Sequence, residues 1–216
     1  MAYAAAIFDM DGTLLNTLDD LAASTNAALA AFGMPGRTTD EVRSYVGNGI
    51  MNLVRLATPA GTDEATRRAV FDTFCEHYAE HSLDVTAPYP GIVELLDELR
   101  ARGVKLAVVS NKGDFAVQDL VEHFWKGQLD FAVGEREGIR RKPAPDTVLA
   151  ALEALDVAPE DAVYIGDSEV DVATAAAAGL DCICVTWGFR SVETLLEAGA
   201  TRLVDTCDEL LAQVVA

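Results

Sequence analysis

Two aspartates stand at the end of an apolar segment near the start of the chain. The segment Ala4–Phe8 runs directly into Asp9 and Asp11, which are followed by Gly12 and Thr13. A short apolar run that ends in acidic residues and glycine is typical of a buried strand reaching the edge of a sheet. Side chains alternate along a strand, so both carboxylates can point to the same side, where a divalent cation or a proton would relieve their repulsion. The pattern indicates a metal or acid–base site, although an ordinary strand with an Asp-Gly turn has the same residues.

Hydrophobic periodicity predicts the elements that position these aspartates. Helical spacing follows the first strand in four stretches, which are Leu18–Phe32, Thr39–Val46, Ile50–Ala57 and Asp63–His81. After Pro88–Gly91, helices alternate with apolar strands, which are expected at Val104–Val109, Phe131–Val133, Ala162–Ile165 and Cys182–Thr186. Such alternation specifies an α/β fold with a doubly wound, mostly parallel sheet. We therefore expect a core of residues 1–15 and 84–216 and an inserted helical domain of residues 16–83.

Polar residues follow, or lie close to, the ends of the other predicted strands. Ser110 and Asn111 follow one strand, Asp167 follows another with Asp171 nearby, and Lys142 precedes a proline. Parallel strands end at the same edge of a sheet, and ligands of open α/β sheets bind there. The fold would therefore gather these side chains beside the first two aspartates.

Charge and composition exclude several classes of partner. Lys and Arg total 16 against 35 Asp and Glu, which gives a formal charge of -19 and makes nucleic acid and anionic membranes unfavourable partners. The four cysteines, Cys75, Cys182, Cys184 and Cys207, lack the CxxC spacing of metal or redox sites. The first apolar run is interrupted by Asp9 before a signal sequence could form. We expect a cytoplasmic protein that is a monomer or a homodimer.

Four sequence motifs, taken together, resemble those of the haloacid dehalogenase superfamily. They are Asp9–Thr13, Val109–Asn111, Lys142 with Pro143, and Gly166–Asp171, which occur in the order of the family's first to fourth motifs. The resemblance covers nearly the whole chain. It implies a Rossmann-like α/β core with an inserted helical cap, and hydrolysis of phosphate esters with Mg²⁺ as cofactor.

The resemblance also implies a role for each motif residue. Asp9 would be the nucleophile that forms an aspartyl-phosphate, and Asp11 the general acid and base. Asp9, the backbone carbonyl of Asp11, and Asp167 would hold Mg²⁺. Ser110 would donate a hydrogen bond to the phosphoryl group and Lys142 would balance its charge. The remaining expected residues are Asp171, which would orient Lys142 or a metal-bound water, and the substrate-binding residues Thr13, Asn48, Gly49, Asn111 and Lys112.

A narrower resemblance, to phosphoglycolate phosphatases, rests on three short segments. They are Tyr45–Gly49 in the helical insert, Ser110–Lys112, and Thr186–Phe189. The insert would close over the site and select the leaving group. Its segment 45–49 contains glycines that permit a turn presenting backbone amides to the substrate.

Two residues favour phosphate hydrolysis over related reactions. Asp11 supplies an acid that a dehalogenase of this superfamily would not need, and Thr13 resembles the phosphatase form of the first motif, where sugar-phosphate mutases often carry Val. The predicted function is hydrolysis of a small phosphorylated metabolite, with phosphoglycolate favoured. A phosphomutase of a sugar phosphate and a non-catalytic phosphate-binding or regulatory protein remain alternatives. The intact set of Asp9, Asp11, Lys142 and Asp167 argues against the second of these.

Overall fold

A computed structural model describes residues 2–216 of the chain. The chain divides into two compact units. One contains the residues up to Leu15 together with Pro88–Ala216, and the other contains Asn16–Ala87.

Helices and strands account for most of both units. The strands are β1 (Ala5–Phe8), β2 (Leu15–Asn16), β3 (Ala87–Pro88), β4 (Lys105–Gly113), β5 (Phe131–Glu135), β6 (Ala162–Gly166), β7 (Asp181–Val185) and β8 (Leu203–Val204). The helices are α1 (Leu18–Ala31), α2 (Thr39–Tyr45), α3 (Ile50–Ala57), α4 (Glu64–His81), α5 (Ile92–Ala101), α6 (Asp114–Trp125), α7 (Asp146–Leu155), α8 (Glu169–Ala178), α9 (Val192–Glu197) and α10 (Cys207–Val215). A short 3₁₀-helix spans Pro159–Asp161.

The larger unit is built on a six-stranded sheet with the order β5-β4-β1-β6-β7-β8. Every neighbouring pair in this sheet is parallel. Strands β4 and β5 lie on one side of β1, and β6, β7 and β8 lie on the other, so the strand order reverses beside β1. Ligands of doubly wound folds bind outside the carboxyl ends of the strands at such a reversal. The predicted α/β fold with a mostly parallel sheet is confirmed.

Helices cover both faces of this sheet because β1 is apolar on both sides. Ala6 and Phe8 belong to a buried cluster with residues of α5, α6 and α10. Ala5 and Ile7 belong to a second cluster with residues of α7 and α8. All four side chains are fully buried, as expected for a parallel strand between two helical layers. Asp9, two residues beyond Ile7, therefore follows on from the face covered by α7 and α8.

Strand β4 extends further than the sequence predicts. The predicted strand ends at Val109, whereas β4 continues to Gly113. The pairing of β4 with β5 shifts register between these two residues and resumes with Gly113 opposite Glu135. The strands approach closely here because Gly134 has no side chain, and a Cβ atom there would lie 2.5 Å from the Lys112 carbonyl oxygen. The irregular stretch between the two registers carries the second motif.

The smaller unit contains helices α1 to α4. Leu29, Leu53 and Phe74 are buried, and the rings of Phe74 and Tyr78 stack with centroids 5.5 Å apart. The Asp20 carboxylate accepts hydrogen bonds from the Thr86 amide and hydroxyl at 2.8 and 2.7 Å, which ties α1 to the end of the unit. Within residues 2–216, no helix combines the length and apolar character needed to cross a membrane.

Candidate functional site

A tight turn at the carboxyl end of β1 positions Asp9. The Met10 carbonyl accepts hydrogen bonds from the amides of Leu14 and Leu15 at 3.0 Å, and Met10 itself is fully buried in the core. Gly12 has a φ of +87°, which an L-residue rarely adopts. The turn therefore reverses the chain directly after β1, with Asp9 held against the sheet by the hydrogen bond from its amide to the Ile165 carbonyl.

Three buried carboxylates gather at this end of the sheet. Oxygen atoms of Asp9, Asp167 and Asp171 lie within 4.8 Å of one another. Burial and the charge of Asp171 raise the pKa of Asp9 to about 7, although the charge of Lys142 opposes this rise. Burial and the charges of Asp171 and Asp9 also raise the pKa of Asp167 well above its usual value. Both pKa values are raised first by burial and then by the charges of the neighbouring carboxylates, so a further positive charge at Asp9 and Asp167 would favour their ionised forms.

Lys142 is the cation of this group, and its side chain is only 2% exposed. Its Nζ lies 2.9 Å from Asp9 Oδ1, 2.8 Å from Asp171 Oδ1 and 3.0 Å from the Tyr164 hydroxyl oxygen. Burial lowers the pKa of Lys142, but the charges of Asp171 and Asp9 outweigh it and raise the pKa above the usual value. The ammonium therefore stays charged beside Asp9.

Asp171 is saturated by donors from this chain. Its Oδ1 accepts a hydrogen bond from Lys142 Nζ at 2.8 Å and one from the Tyr164 hydroxyl at 3.0 Å. Its Oδ2 accepts from the amides of Asp167 and Ser168 and from the Ser168 hydroxyl, at 3.2, 3.1 and 2.6 Å. Burial raises the pKa of Asp171, but Lys142 and these hydrogen bonds together hold it below its usual value. The carboxylate is thus committed to orienting Lys142 and the start of α8.

Asp167 lies in a narrow space between two loops. Its Oδ1 accepts a hydrogen bond from the Thr13 hydroxyl at 3.0 Å, and its Oδ2 accepts one from the Phe189 amide at 2.7 Å. A Cβ atom at Gly12 would lie 2.4 Å from Asp167 Oδ2, and one at Gly188 would lie 2.3 Å from Asp167 Cβ. Both glycines are needed because any side chain there would displace the carboxylate.

Asp11 forms an ion pair with Lys112. The Lys112 Nζ lies 3.0 Å from Asp11 Oδ1 and 3.3 Å from Asp11 Oδ2, with the two side chains 2% and 13% exposed. The amide of Lys112 donates to the Ser110 hydroxyl at 3.2 Å. The irregular end of β4 thus presents Ser110 and Lys112 beside the first motif.

The Asn111 side chain holds the loop that carries Lys142. Its Oδ1 accepts a hydrogen bond from the Lys142 amide at 2.8 Å, and its Nδ2 donates to the Lys142 carbonyl at 3.0 Å. This reciprocal pair fixes the backbone of Lys142 against β4. The second and third motifs are therefore joined directly.

Asp9 and Asp167 could hold a hard divalent cation. Lys142 contacts two of the three clustered carboxylates, Asp9 and Asp171, and the carboxylates of Asp9 and Asp167 have raised pKa values that a cation would relieve. Oxygen ligands of this kind suit Mg²⁺. The donor set fits the magnesium site predicted from the sequence.

The order and identity of these motifs match a known family. The model of the haloacid dehalogenase-like hydrolases matches residues 6–185. The chain belongs to this family. The predicted resemblance is confirmed, and the protein is a haloacid dehalogenase-like hydrolase.

Individual relatives of this hydrolase include bacterial phosphatases. It is 34% identical to phosphoglycolate phosphatase 1 of Pseudomonas aeruginosa over 212 residues, and this alignment covers 95% of this chain and 77% of that protein. It is 31% identical to the phosphoglycolate phosphatase of Thiobacillus denitrificans, over 97% of this chain and 95% of that protein.

Solved structures share the whole fold of this hydrolase. A crystal structure from Lactobacillus delbrueckii subsp. bulgaricus, of a protein proposed to be a phosphoglycolate phosphatase, has a TM-score of 0.95 and 41% identity over all of both chains. The structure of CbbY from Rhodobacter sphaeroides in complex with phosphate has a TM-score of 0.75 and 30% identity over 96% of each chain.

Most of the predicted site residues of the hydrolase fall into two groups. Asp9, Lys142, Asp167 and Asp171 lie together with Thr13, and Asp11, Ser110 and Lys112 form a second group at the end of β4. The Asn111 side-chain amide is hydrogen-bonded to the Lys142 backbone, and its substrate-binding role stays a prediction. Asn48 and Gly49 lie in the smaller unit, where Gly49 precedes α3 with a φ of +80°, and their binding role stays a prediction.

Sequence reasoning assigned no individual role to two aromatic residues that hold the site, Tyr164 and, within the segment Thr186–Phe189, Trp187. The Tyr164 hydroxyl lies between Lys142 and Asp171, and the Trp187 Nε1 donates to the Thr13 carbonyl at 3.1 Å. A tyrosine within an otherwise apolar strand, two residues before Gly166, is the signal that could have found the first. Its polar tip must find a partner when the residue is buried.

Proposed function

We propose that this hydrolase is a Mg²⁺-dependent phosphatase that acts on a small phosphate monoester through an aspartyl-phosphate on Asp9. The observation that carries the proposal is the Asp9 carboxylate, held 2.9 Å from the buried Lys142 ammonium and beside Asp167. A carboxylate held next to a fixed cation is suited to attack a phosphoryl group, whose charge the same cation offsets.

Two steps account for the hydrolysis. Asp9 attacks phosphorus and forms a P–O bond as the bond to the leaving oxygen breaks, and that oxygen takes a proton from Asp11. Water then gives a proton back to Asp11 and attacks phosphorus, which breaks the bond to Asp9 and releases phosphate. Asp11 thus serves as acid and then as base.

Other residues of the chain hold the charge and orientation that both steps need. The Lys142 ammonium offsets negative charge on Asp9 and on the phosphoryl group, and Ser110 offers a hydroxyl to a phosphoryl oxygen. Asp9, the Asp11 carbonyl and Asp167 would hold Mg²⁺. The cation would supply electrostatic stabilisation of the phosphoryl oxygens.

The proposed substrate is phosphoglycolate or a similar small metabolite. Support comes from the relatives named phosphoglycolate phosphatase, two of which are at least 31% identical and align over 95% or more of this chain. Lys112 is the cation proposed to meet a second anionic group of the substrate. Asn48 and Gly49 of the smaller unit are proposed to select the leaving group, with Thr13 supporting the phosphoryl site.

The test is phosphate release over a panel of phosphate esters, with Mg²⁺ and with excess chelator. We expect turnover that requires Mg²⁺, ranks phosphoglycolate first and disappears in Asp9→Asn. Added bisphosphate activator separates hydrolysis from mutase activity, because a mutase would convert a sugar phosphate to its isomer. Undiminished turnover in chelator would contradict the metal requirement, and full activity of Asp9→Asn would contradict the nucleophile.

A further inference from the structure

Tyr164 lies in the middle of the buried charge group without belonging to any of the four motifs. Its side chain is fully buried. Its hydroxyl oxygen is 3.0 Å from Lys142 Nζ and 3.0 Å from Asp171 Oδ1. Burial, the charges of Asp171 and Asp9, and the hydrogen bond to Asp171 raise the pKa of Tyr164 well above its usual value, so the phenol stays neutral.

The chemistry of the three groups fixes the direction of each hydrogen bond. An ammonium only donates and an ionised carboxylate only accepts. The Tyr164 hydroxyl must therefore accept from Lys142 and donate its proton to Asp171. This leaves one arrangement of protons for the triangle of Lys142, Tyr164 and Asp171.

The triangle and Asp9 together use all three donors of Lys142. An ammonium has three protons, and the structure offers three acceptors, which are Asp9 Oδ1, Asp171 Oδ1 and the Tyr164 hydroxyl. Two of these acceptors hold the ammonium from the side of β6 and α8, and the third is the proposed nucleophile. Fixing two donors determines where the third one points.

The pairing of strands in the sheet places Tyr164 where its hydroxyl can orient the Lys142 ammonium. In the parallel pairing of β1 and β6, Tyr164 lies opposite Ile7. Both side chains belong to the cluster on the face covered by α7 and α8, and Asp9 follows Ile7 on that face. Tyr164 therefore lies one layer below the nucleophile, on a rigid central strand.

We propose that Tyr164 is a positioning residue that directs the ammonium of Lys142 at Asp9. The inference rests on the proposed function, because the ammonium matters only if Asp9 attacks phosphorus. Tyr164 touches neither substrate nor reacting atoms, and it acts through Lys142. Without its hydroxyl, one ammonium proton loses its acceptor and the charge is free to turn away from Asp9.

The test compares Tyr164→Phe with Tyr3→Phe. We expect Tyr164→Phe to lower kcat about 10- to 100-fold, the value of one hydrogen bond to a charged group, with little change in KM. Tyr3 is the matched control because its hydroxyl also contacts a carboxylate and a cation, Asp181 and Arg202, outside the site. Tyr3→Phe should keep wild-type kcat.

A double-variant cycle separates positioning from a merely structural role. If Tyr164 acts through Lys142, then Tyr164→Phe should lower kcat no further in a Lys142→Met protein. Lys142→Gln, which also removes the positive charge but keeps a polar end, provides the second background if Lys142→Met does not fold. The unfolding temperature of each variant shows that the proteins compared are folded.

The outcomes distinguish the inference from the proposed function. An active wild type in which Tyr164→Phe retains full kcat, or lowers it equally with and without Lys142, would overturn the positioning role alone. A wild type that releases no phosphate from any ester and forms no phosphoryl label on Asp9 would overturn both. A loss confined to KM would likewise contradict the inference.

Discussion

At the scale of single residues, one ammonium, that of Lys142, contacts only Asp9 and Asp171 among the three clustered carboxylates. The charge of Lys142 helps to lower the pKa of Asp171, while the pKa values of Asp9 and Asp167 remain raised. A nucleophile must be ionised to attack, so the proposed reaction needs a further positive charge at Asp9 and Asp167. The charge balance of these side chains thus supports the proposed metal requirement without reference to the substrate.

Asp11→Asn should separate the two chemical steps. Loss of one positioned proton-transfer group typically lowers the rate by about 10²–10⁴. With an aryl phosphate, whose leaving group needs little protonation, attack by Asp9 continues while hydrolysis of the intermediate lacks its base. The variant should therefore accumulate phosphate on Asp9, seen by intact-mass measurement as the addition of one phosphoryl group.

The control for this experiment is Asp9→Asn, which should carry no label. The amide substitution at Asp11 leaves its backbone carbonyl in place, so Mg²⁺ binding should persist. A label on any residue other than Asp9 would refute the covalent mechanism. So would complete absence of label in an Asp11→Asn protein that binds Mg²⁺ and has lost turnover.

The sequence predicts the charged residues of the site better than it predicts their supports. Asp9, Lys142 and Asp167 are recognisable because ionisable side chains next to buried strands are costly unless they have a function. Tyr164 resembles an ordinary core aromatic, because the residues around it in the sequence do not indicate that its hydroxyl contacts Lys142. The pairing of Asn111 with the Lys142 backbone joins residues 31 positions apart, and only the folded sheet brings them together.

At the scale of elements, two loops confine Asp167 between them. The turn after β1 contributes Gly12 and the segment after β7 contributes Gly188, and a Cβ atom at either would lie within 2.5 Å of Asp167 atoms. The Trp187 ring donates to the Thr13 carbonyl and so ties the two loops to each other. The position of the Asp167 carboxylate is therefore set by backbone that comes from both sides of it.

Gly12→Ala should inactivate the enzyme, whereas Gly103→Ala should not. The two glycines have nearly the same φ, +87° and +81°, so a Cβ atom adds similar backbone strain of roughly 1–2 kcal/mol at each. A Cβ atom at Gly103 meets nothing within 4 Å, whereas one at Gly12 would lie 2.4 Å from Asp167 Oδ2. Phosphate release and Mg²⁺ titration would measure the difference at matched unfolding temperature.

Comparable activity and Mg²⁺ affinity in the two alanine variants would show that Asp167 tolerates displacement. The proposed metal role of Asp167 would then lose its support. Equal loss of unfolding temperature in both variants is expected and does not bear on the site, because it reports only the shared backbone strain.

Periodicity predicts the long elements of the fold and misses the short ones near its end. The predicted helix at Ile50–Ala57 is confirmed without change. Periodicity does not predict the elements in the last part of the chain, which are α9, β8 and α10. Strand β8 has two residues and helix α9 has six, too few to show a period. The continuation of β4 past Val109 depends on the approach of Gly134, which is a tertiary contact.

At the scale of the whole molecule, the sheet order explains why distant motifs meet. Because β1 lies between β4 and β6, the first motif has the second on one side and the fourth on the other. The alternation of strands and helices predicts such a sheet, although the strand order itself depends on crossovers that periodicity does not encode. Although the chain carries a formal charge of -19, two lysines, Lys142 and Lys112, are buried at this edge of the sheet.

Mg²⁺ should stabilise the folded protein more at pH 8 than at pH 5. The folded-state pKa of Asp9 is raised from 3.8 to about 7, and that of Asp167 is also raised. Between the ordinary and the raised pKa the folded state binds more protons than the unfolded state, so stability without metal falls as pH rises through this window. Asp171 has a lowered pKa, and its contribution is lost only as pH falls below the usual carboxyl range.

A cation at Asp9 and Asp167 competes with these protons, so it binds more tightly once the pH exceeds about 7. At a free concentration of about 100 times Kd the gain is about 2.7 kcal/mol, or roughly 5–10 °C in unfolding temperature for a chain of this size. At pH 5 the same Mg²⁺ concentration should raise the unfolding temperature much less.

Calorimetry with NaCl at matched ionic strength separates binding from screening of the acidic surface, and Asp9→Asn should reduce the difference between the two pH values. An equal shift at both pH values, or an equal shift with NaCl, would mean that the cation does not bind the buried carboxylates.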